Sequence, residues 1–196
     1  IKNSNVKIVC TTDDPADDLK YHALLAKEKD FDCRVLPGFR PDKALGIELP
    51  GFAEYIKKLG ESAGVEIKSY KDVISALLAR IDFFNAAGCR VSDHAFSYMP
   101  YVQDSEEQIE VSFERAMSGE KISQRDADAY KTAVMQALGE KYHSLGWAME
   151  IHIGAMRNNN SKMFAALGPD TGFDSVGDDK TAYMLSRFLD SLRSEE

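Results

Sequence analysis

Two titratable groups share one side of an otherwise apolar run. In WAMEIHIGA (147–155), Glu150 and His152 alternate with Ile151 and Ile153. A strand here would turn the isoleucines to one face and the polar pair to the other. Polar groups set among apolar ones need partners or a cavity. A satisfied structural histidine is one reading, a functional one the other. Three more apolar runs end in charge. VKIVCTT (6–12) is followed by Asp13 and Asp14, and CRVLPGF (33–39) by Arg40, Asp42 and Lys43. CRVSDHAF (89–96) holds Asp93 and His94, and Arg157 stands just beyond the fourth run. A forked guanidinium such as Arg40 is suited to clamping a carboxylate or phosphate. Each group also has a structural reading. Asp13-Asp14-Pro15 can cap a helix and make a turn, Arg40 can pair with Asp42, and Asp93-His94 can close a strand as an ion pair.

The elements that must position these residues follow from periodicity. The four short, β-branched runs read as strands, and helical spacing lies between them. Helices are expected at 16–29, 51–61 and 70–87, over 104–145 with a break at Gly119, and near 180–193. The stretch from 70 is the clearest. Ser69 with Asp72 resembles a capping box, Val73, Ile74, Leu77, Leu78, Ile81 and Phe84 form a stripe, and Gly88 stops it. Ser123 with Asp126 offers a second cap. Trp147 reads as core, and His22 and His143 as packing or surface residues. The asparagines at 158–160 mark a turn, and 168–179 a glycine-rich loop. Strand–helix alternation predicts an α/β protein with a parallel sheet, whose functional groups lie at the carboxyl ends of the strands. All the groups above stand at such ends.

Composition narrows the function classes. The 196 residues carry 24 Lys+Arg against 32 Asp+Glu, a net charge of −8. An acidic chain argues against nucleic acid or an anionic membrane as partner. No apolar run approaches the roughly 20 residues of a bilayer span, and the first ten residues lack a signal-peptide core. Three separated cysteines suit buried thiols in a reducing cytoplasm. No G-x-S-x-G, Walker loop, G-x-G-x-x-G, H-x-H or H-E-x-x-H occurs, which sets aside those nucleophile, nucleotide and metal chemistries.

The motifs TTDDP (11–15), FRPDKAL (39–45), RIDFFNAAGCRVSDHA (80–95), GW (146–147), HIGAMRNNN (152–160) and LGPDTGFDS (167–175) occur in this order. In this the chain resembles the uronate isomerase (glucuronate isomerase) family of the amidohydrolase superfamily, over essentially its whole length. The resemblance implies a distorted (β/α)8 barrel, of which 1–196 would be a single domain forming the central portion. Four parallel strands would be present, with helical insertions near 50–87 and 104–145. It implies aldose–ketose isomerisation of hexuronates, D-glucuronate to D-fructuronate and D-galacturonate to D-tagaturonate, with a divalent metal, usually zinc. By position in the motifs, His152 and Asp93 would be catalytic, and Arg40, Arg157 and His94 substrate-binding.

The family's H-x-H ligands on the first barrel strand, and its late-strand metal-binding aspartate, have no counterpart here. The metal ligands are therefore open, with His152 one candidate. The chain alone is expected to be inactive and to hold no metal, and its open sheet edges invite self-association. Two other readings stay open: a non-catalytic α/β binding or structural module, and a metal-dependent hydrolase of the same superfamily.

Overall fold

A computed structural model describes residues 4–192. The chain runs β1 (Ile8–Cys10), α1 (Lys20–Leu25), β2 (Arg34–Leu36), α2 (Asp42–Leu45), α3 (Phe52–Ala63), α4 (Tyr70–Ala86), β3 (Val91–Phe96), α5 (Glu106–Met117), α6 (Gln124–Ser144), β4 (Ala148–Ile153), β5 (Ala155–Met156), α7 (Ser161–Leu167), β6 (Ser175–Val176) and α8 (Thr181–Ser191). The end of the helix expected to reach 193 lies outside the described residues.

β1 pairs with β2 and β3 with β4, both in parallel. Phe39 joins the two ladders. Its N–H donates to Val91 (3.1 Å), its carbonyl accepts from Asp93 N–H (2.9 Å), and it bridges Asp13 on the other side. Four parallel strands thus lie side by side in sequence order. Gly38, just before the weld, is a glycine for a steric reason: a Cβ there would come within 2.4 Å of the Thr11 carbonyl oxygen. The Phe39 ring is fully buried and meets Phe84, Tyr142 and Trp147 edge-on.

The helices cover one side. α4 is capped as its sequence implies, with Ser69 Oγ accepting from Asp72 N–H and Asp72 returning to the Ser69 N–H. Its Val73, Leu77, Ile81 and Phe84 are fully buried. α6, capped by Ser123, buries Tyr130, Val134 and Leu138 against the same core. The breadth of this apolar surface drives the packing, since burial of a Leu, Ile or Phe side chain is worth about 1.5–3 kcal/mol.

The sequence reading needs four corrections. The helix expected over 16–29 spans only Lys20–Leu25. Arg80, buried in α4, takes the carbonyls of Pro15 and Asp17 at 2.6 Å each, and Asp14 accepts from Ala16 N–H, so this backbone is committed elsewhere. Cys33 and Cys89 are buried but Cys10 is exposed. β5 and β6 form a small antiparallel pair that periodicity did not signal. α7, seven residues capped by Asn160, is too short to show a period. Among the described residues no helix is long and apolar enough to cross a membrane.

Candidate active site

The strand register gathers the site. Asp93 on β3 faces Glu150 on β4, and Ala95 faces His152. All four occupy the sheet face opposite the helices, because their neighbours Ser92 and His94 are fully buried and Ile151 and Ile153 pack on the core. The backbone hydrogen bonds of Phe39 to β3 set Arg40, the next residue, at the carboxyl end of the same row.

Arg40 reaches three partners. Its Nε donates to Asp42 Oδ2 at 2.8 Å, its Nη1 lies 3.5 Å from Asp93 Oδ2, and its Nη2 lies 3.2 Å from His152 Nε2. Guanidinium has no acceptor, so the last contact is a hydrogen bond only if His152 Nε2 accepts. That assigns the imidazole proton to Nδ1, which lies 2.9 Å from Asp93 Oδ1. This approach is close but not aligned as a hydrogen bond, and Asp93 Oδ1 stays buried without a hydrogen-bonded partner. The result is an imidazole with a free-energy preference for one tautomer, held between a carboxylate and a cation.

The electrostatics agree with the contacts. Burial works against the Arg40 charge. The hydrogen bond and charge of Asp42, followed by the charges of Asp93 and Glu150, outweigh it and raise the Arg40 pKa above its usual value. Asp42 is also raised, because burial of its carboxyl exceeds the pull of Arg40 and of the Ala95 N–H. A cleft of about 250 Å³ flanks Arg40 between Thr12, Asp13, Asp14, Asp42 and Lys43. A second, of about 310 Å³, is lined by Asp42, Glu48, Ala95, Tyr98 and Lys131 among others.

Arg40, Asp93 and His152 therefore come together as the strand-end argument requires. Two other candidates do not join them. His94 points to the helical side, wholly buried, 3.2 Å from Ser92 Oγ and between Phe96 and Tyr142. Burial, then the charges of Arg40 and His152, push its pKa down to about 3. The alternation of strand β3 explains this: Asp93 and His94 cannot share a face. Arg157 is exposed and pairs with Asp174 Oδ2 at 2.6 Å. Asp14 takes the turn-making role and also accepts from Tyr55 OH (2.9 Å) and pairs with Lys43 (3.0 Å). His22, read as packing, hydrogen-bonds Thr11 Oγ1 at 2.7 Å.

Glu150 joins the cluster through the same alternation that places His152, opposite Asp93 in the register. One ligand atom each from Asp93, Glu150 and His152 lies within 4.8 Å of the others. Two carboxylates and an imidazole are a donor set that divalent ions accept, and the buried, unpartnered Asp93 Oδ1 is the kind of atom a cation would satisfy.

Comparison with known proteins gives the family. Residues 1–196 match the family model described as glucuronate isomerase. A uronate isomerase of Caldanaerobacter subterraneus subsp. tengcongensis is 52% identical over 195 residues, covering 100% of this chain and 42% of that protein. One from Clostridium acetobutylicum is 51% identical with the same coverage. Among solved structures, uronate isomerase from Thermotoga maritima superposes with a TM-score of 0.87 at 34% identity, over 96% of this chain and 42% of that one. Glucuronate isomerase from Caulobacter crescentus, at 23% identity and TM-score 0.82, shares the fold. The chain spans about 42% of the length of these curated relatives.

Proposed function

The chain belongs to the glucuronate isomerase family, and on that premise we propose that the Arg40–Asp93–His152 cluster serves an aldose–ketose isomerisation of hexuronates in the full-length enzyme. The substrates are D-glucuronate, giving D-fructuronate, and D-galacturonate, giving D-tagaturonate. The observation that carries this reading is the engagement of both His152 nitrogens, one by Asp93 and one by Arg40.

The reaction moves one proton from C2 to C1 and one from O2 to O1. C1 is reduced as C2 is oxidised, so no outside oxidant or reductant is needed. The group that takes the C2 proton must hold it briefly and return it to C1 on the same face. His152 fits, because an imidazole accepts and releases protons near neutral pH. Asp93 orients the ring and offsets the positive charge formed when Nε2 takes up the proton. Arg40 then swings its Nη edge from Nε2 to a sugar oxygen or the substrate carboxylate, where it stabilises negative charge as the enediolate forms. Asp93 and Glu150 would offer carboxylate oxygens to a divalent cation such as zinc beside His152. Such an ion would polarise a sugar oxygen and so acidify the C2 proton.

The fold supports a finer reading as well. Four parallel strands in sequence order, with helices on one face and the cluster on the other, suit an arc of a (β/α)8 barrel. The helices over 50–87 and 104–145 would be its insertions, within a single domain. We place the reaction in the cytoplasm, consistent with free cysteines. Among the described residues no strand pairs with the outer edges of β1 and β4, which would be covered by further strands of the barrel or by a second copy.

The test is a coupled assay for fructuronate formation by the full-length enzyme. An ester or amide of the same sugar acid serves as the comparison substrate. Isomerisation with no hydrolysis is expected. Hydrolysis without isomerisation would move the cluster to the hydrolases of the superfamily, and neither reaction, with the protein folded, would leave it a binding module.

A further inference from the structure

We propose that Asp42 is the positioning residue for Arg40, locking the guanidinium to the end of β3 so that its Nη edge alone faces the substrate; this rests on the reading of the cluster as the active site. Asp42 uses its two oxygens differently. Oδ2 accepts from Arg40 Nε at 2.8 Å, and Oδ1 accepts from the Ala95 N–H at 3.3 Å. The carboxylate thus ties the arginine to the strand that carries Asp93, at Ala95, the residue that faces His152 in the register.

Asp42 is itself held. It is the first residue of α2, whose Ala44 and Leu45 are buried. Tyr130, fully buried on α6, donates its hydroxyl to the Ala44 carbonyl at 2.9 Å and sets its ring edge-on to Phe52. A side chain as long as arginine has several rotatable bonds and loses precision unless one edge is fixed. Here the Nε edge is fixed, so the two Nη groups can exchange Asp93 and His152 for a substrate oxygen without the head group wandering. Asp42 also lines two clefts, one of them beside Arg40. Among the described residues no hydrogen bond joins Asp42 to Asp93 or His152; its charge also acts on Asp93 directly, and the R40A background separates that effect from the one carried by Arg40.

The experiment uses the full-length enzyme and four variants: Asp42→Asn, Asp42→Glu, Arg40→Ala and the double variant D42N/R40A. Asn keeps an acceptor for Ala95 but turns an N–H₂ towards Arg40 Nε–H. D42N is expected to lower kcat/KM about 10- to 100-fold, the usual effect of a displaced catalytic group. In the R40A background the same change should matter less than about threefold, because residues acting through one contact are not additive. D42E, which keeps both acceptor oxygens, should recover more activity than D42N. If D42N proves unstable, the wild-type enzyme alone carries the test through its Arg40 signal, and an Nε–H unprotected there overturns the proposal. That signal is the ¹⁵N resonance of Arg40 Nε–H, expected to be protected from exchange in wild type and unprotected in D42N. Protection that persists in D42N, or an equal loss of activity in the wild-type and R40A backgrounds, overturns the proposal. Wild-type activity in R40A overturns the active-site reading instead, and the resonance then still reports whether Asp42 holds Arg40.

Discussion

His152 Nδ1 lies 2.9 Å from Asp93 Oδ1, diagonally across the ladder of two parallel strands. The pair is fixed by strand register, not by a loop, so its geometry is as rigid as the sheet. His152 packs little: 40% of its side chain is exposed. His152→Ala in the full-length enzyme is therefore expected to lower kcat about 100-fold or more, while Tm moves by no more than about 4 °C. Both are read on one preparation. A large fall in Tm with activity per folded molecule intact would make His152 a structural residue.

Arg40→Lys tests the fork. Lysine offers a single ammonium, which cannot hold Asp42, Asp93 and a substrate oxygen together. Loss of one charge-assisted hydrogen bond is worth about 1.5–3 kcal/mol, so kcat/KM for a hexuronate should fall by about one to two orders of magnitude with the fold kept. Unchanged steady-state kinetics would assign the arginine to a surface ion pair with Asp42.

His94 makes a prediction about acid stability. Its folded pKa is about 3 against an ordinary 6.5. Between those values the unfolded chain binds a proton that the folded chain refuses, so stability rises with pH. The contribution is fully present above pH 6.5 and is lost progressively as pH falls towards 3. His94→Phe, which keeps a flat ring beside Phe96 and Tyr142, removes this dependence. Denaturant midpoints at pH 7 and pH 4.5 should converge for the variant and separate for wild type. Parallel pH profiles would show that His94 takes up its proton without cost.

Strands, caps and the trio of Arg40, Asp93 and His152 were legible because each is a local pattern. A β-branched run followed by charge marks a parallel strand end, and a serine three residues before an aspartate marks a helix start. What stayed hidden depends on distant partners. The shortening of the helix after Asp14 comes from Arg80, more than sixty residues away, which takes its carbonyls. The separation of His94 from Asp93 was readable from alternation alone, and motif matching obscured it. Glu150 was visible by the same alternation as His152. The role of Asp42 needed the Ala95 N–H, which no spacing reveals.

The last prediction concerns the 196-residue chain by itself, which is expected not to isomerise glucuronate. Its cluster stands on an open sheet face, with 29% of the Arg40 side chain and 40% of that of His152 in contact with solvent. Water there weakens the interactions that would stabilise an enediolate, since two charges attract several times less in water than in a dry site. Asp93, Glu150 and His152 bring three ligand atoms together, but Arg40 lies against two of these groups and opposes a second positive charge among them. The resemblance also sets the family's H-x-H pair and late aspartate outside this chain. Missing electrostatic stabilisation of this kind commonly costs about 10²–10³ in rate for a single donor, and here several contributions are lost together. The measurement is the fructuronate assay with added zinc or manganese, on chain whose mass and circular dichroism confirm 196 folded residues. Turnover within about tenfold of the full-length enzyme, a gap of roughly 1.4 kcal/mol in barrier, would show that the half-exposed cluster is a complete catalytic site.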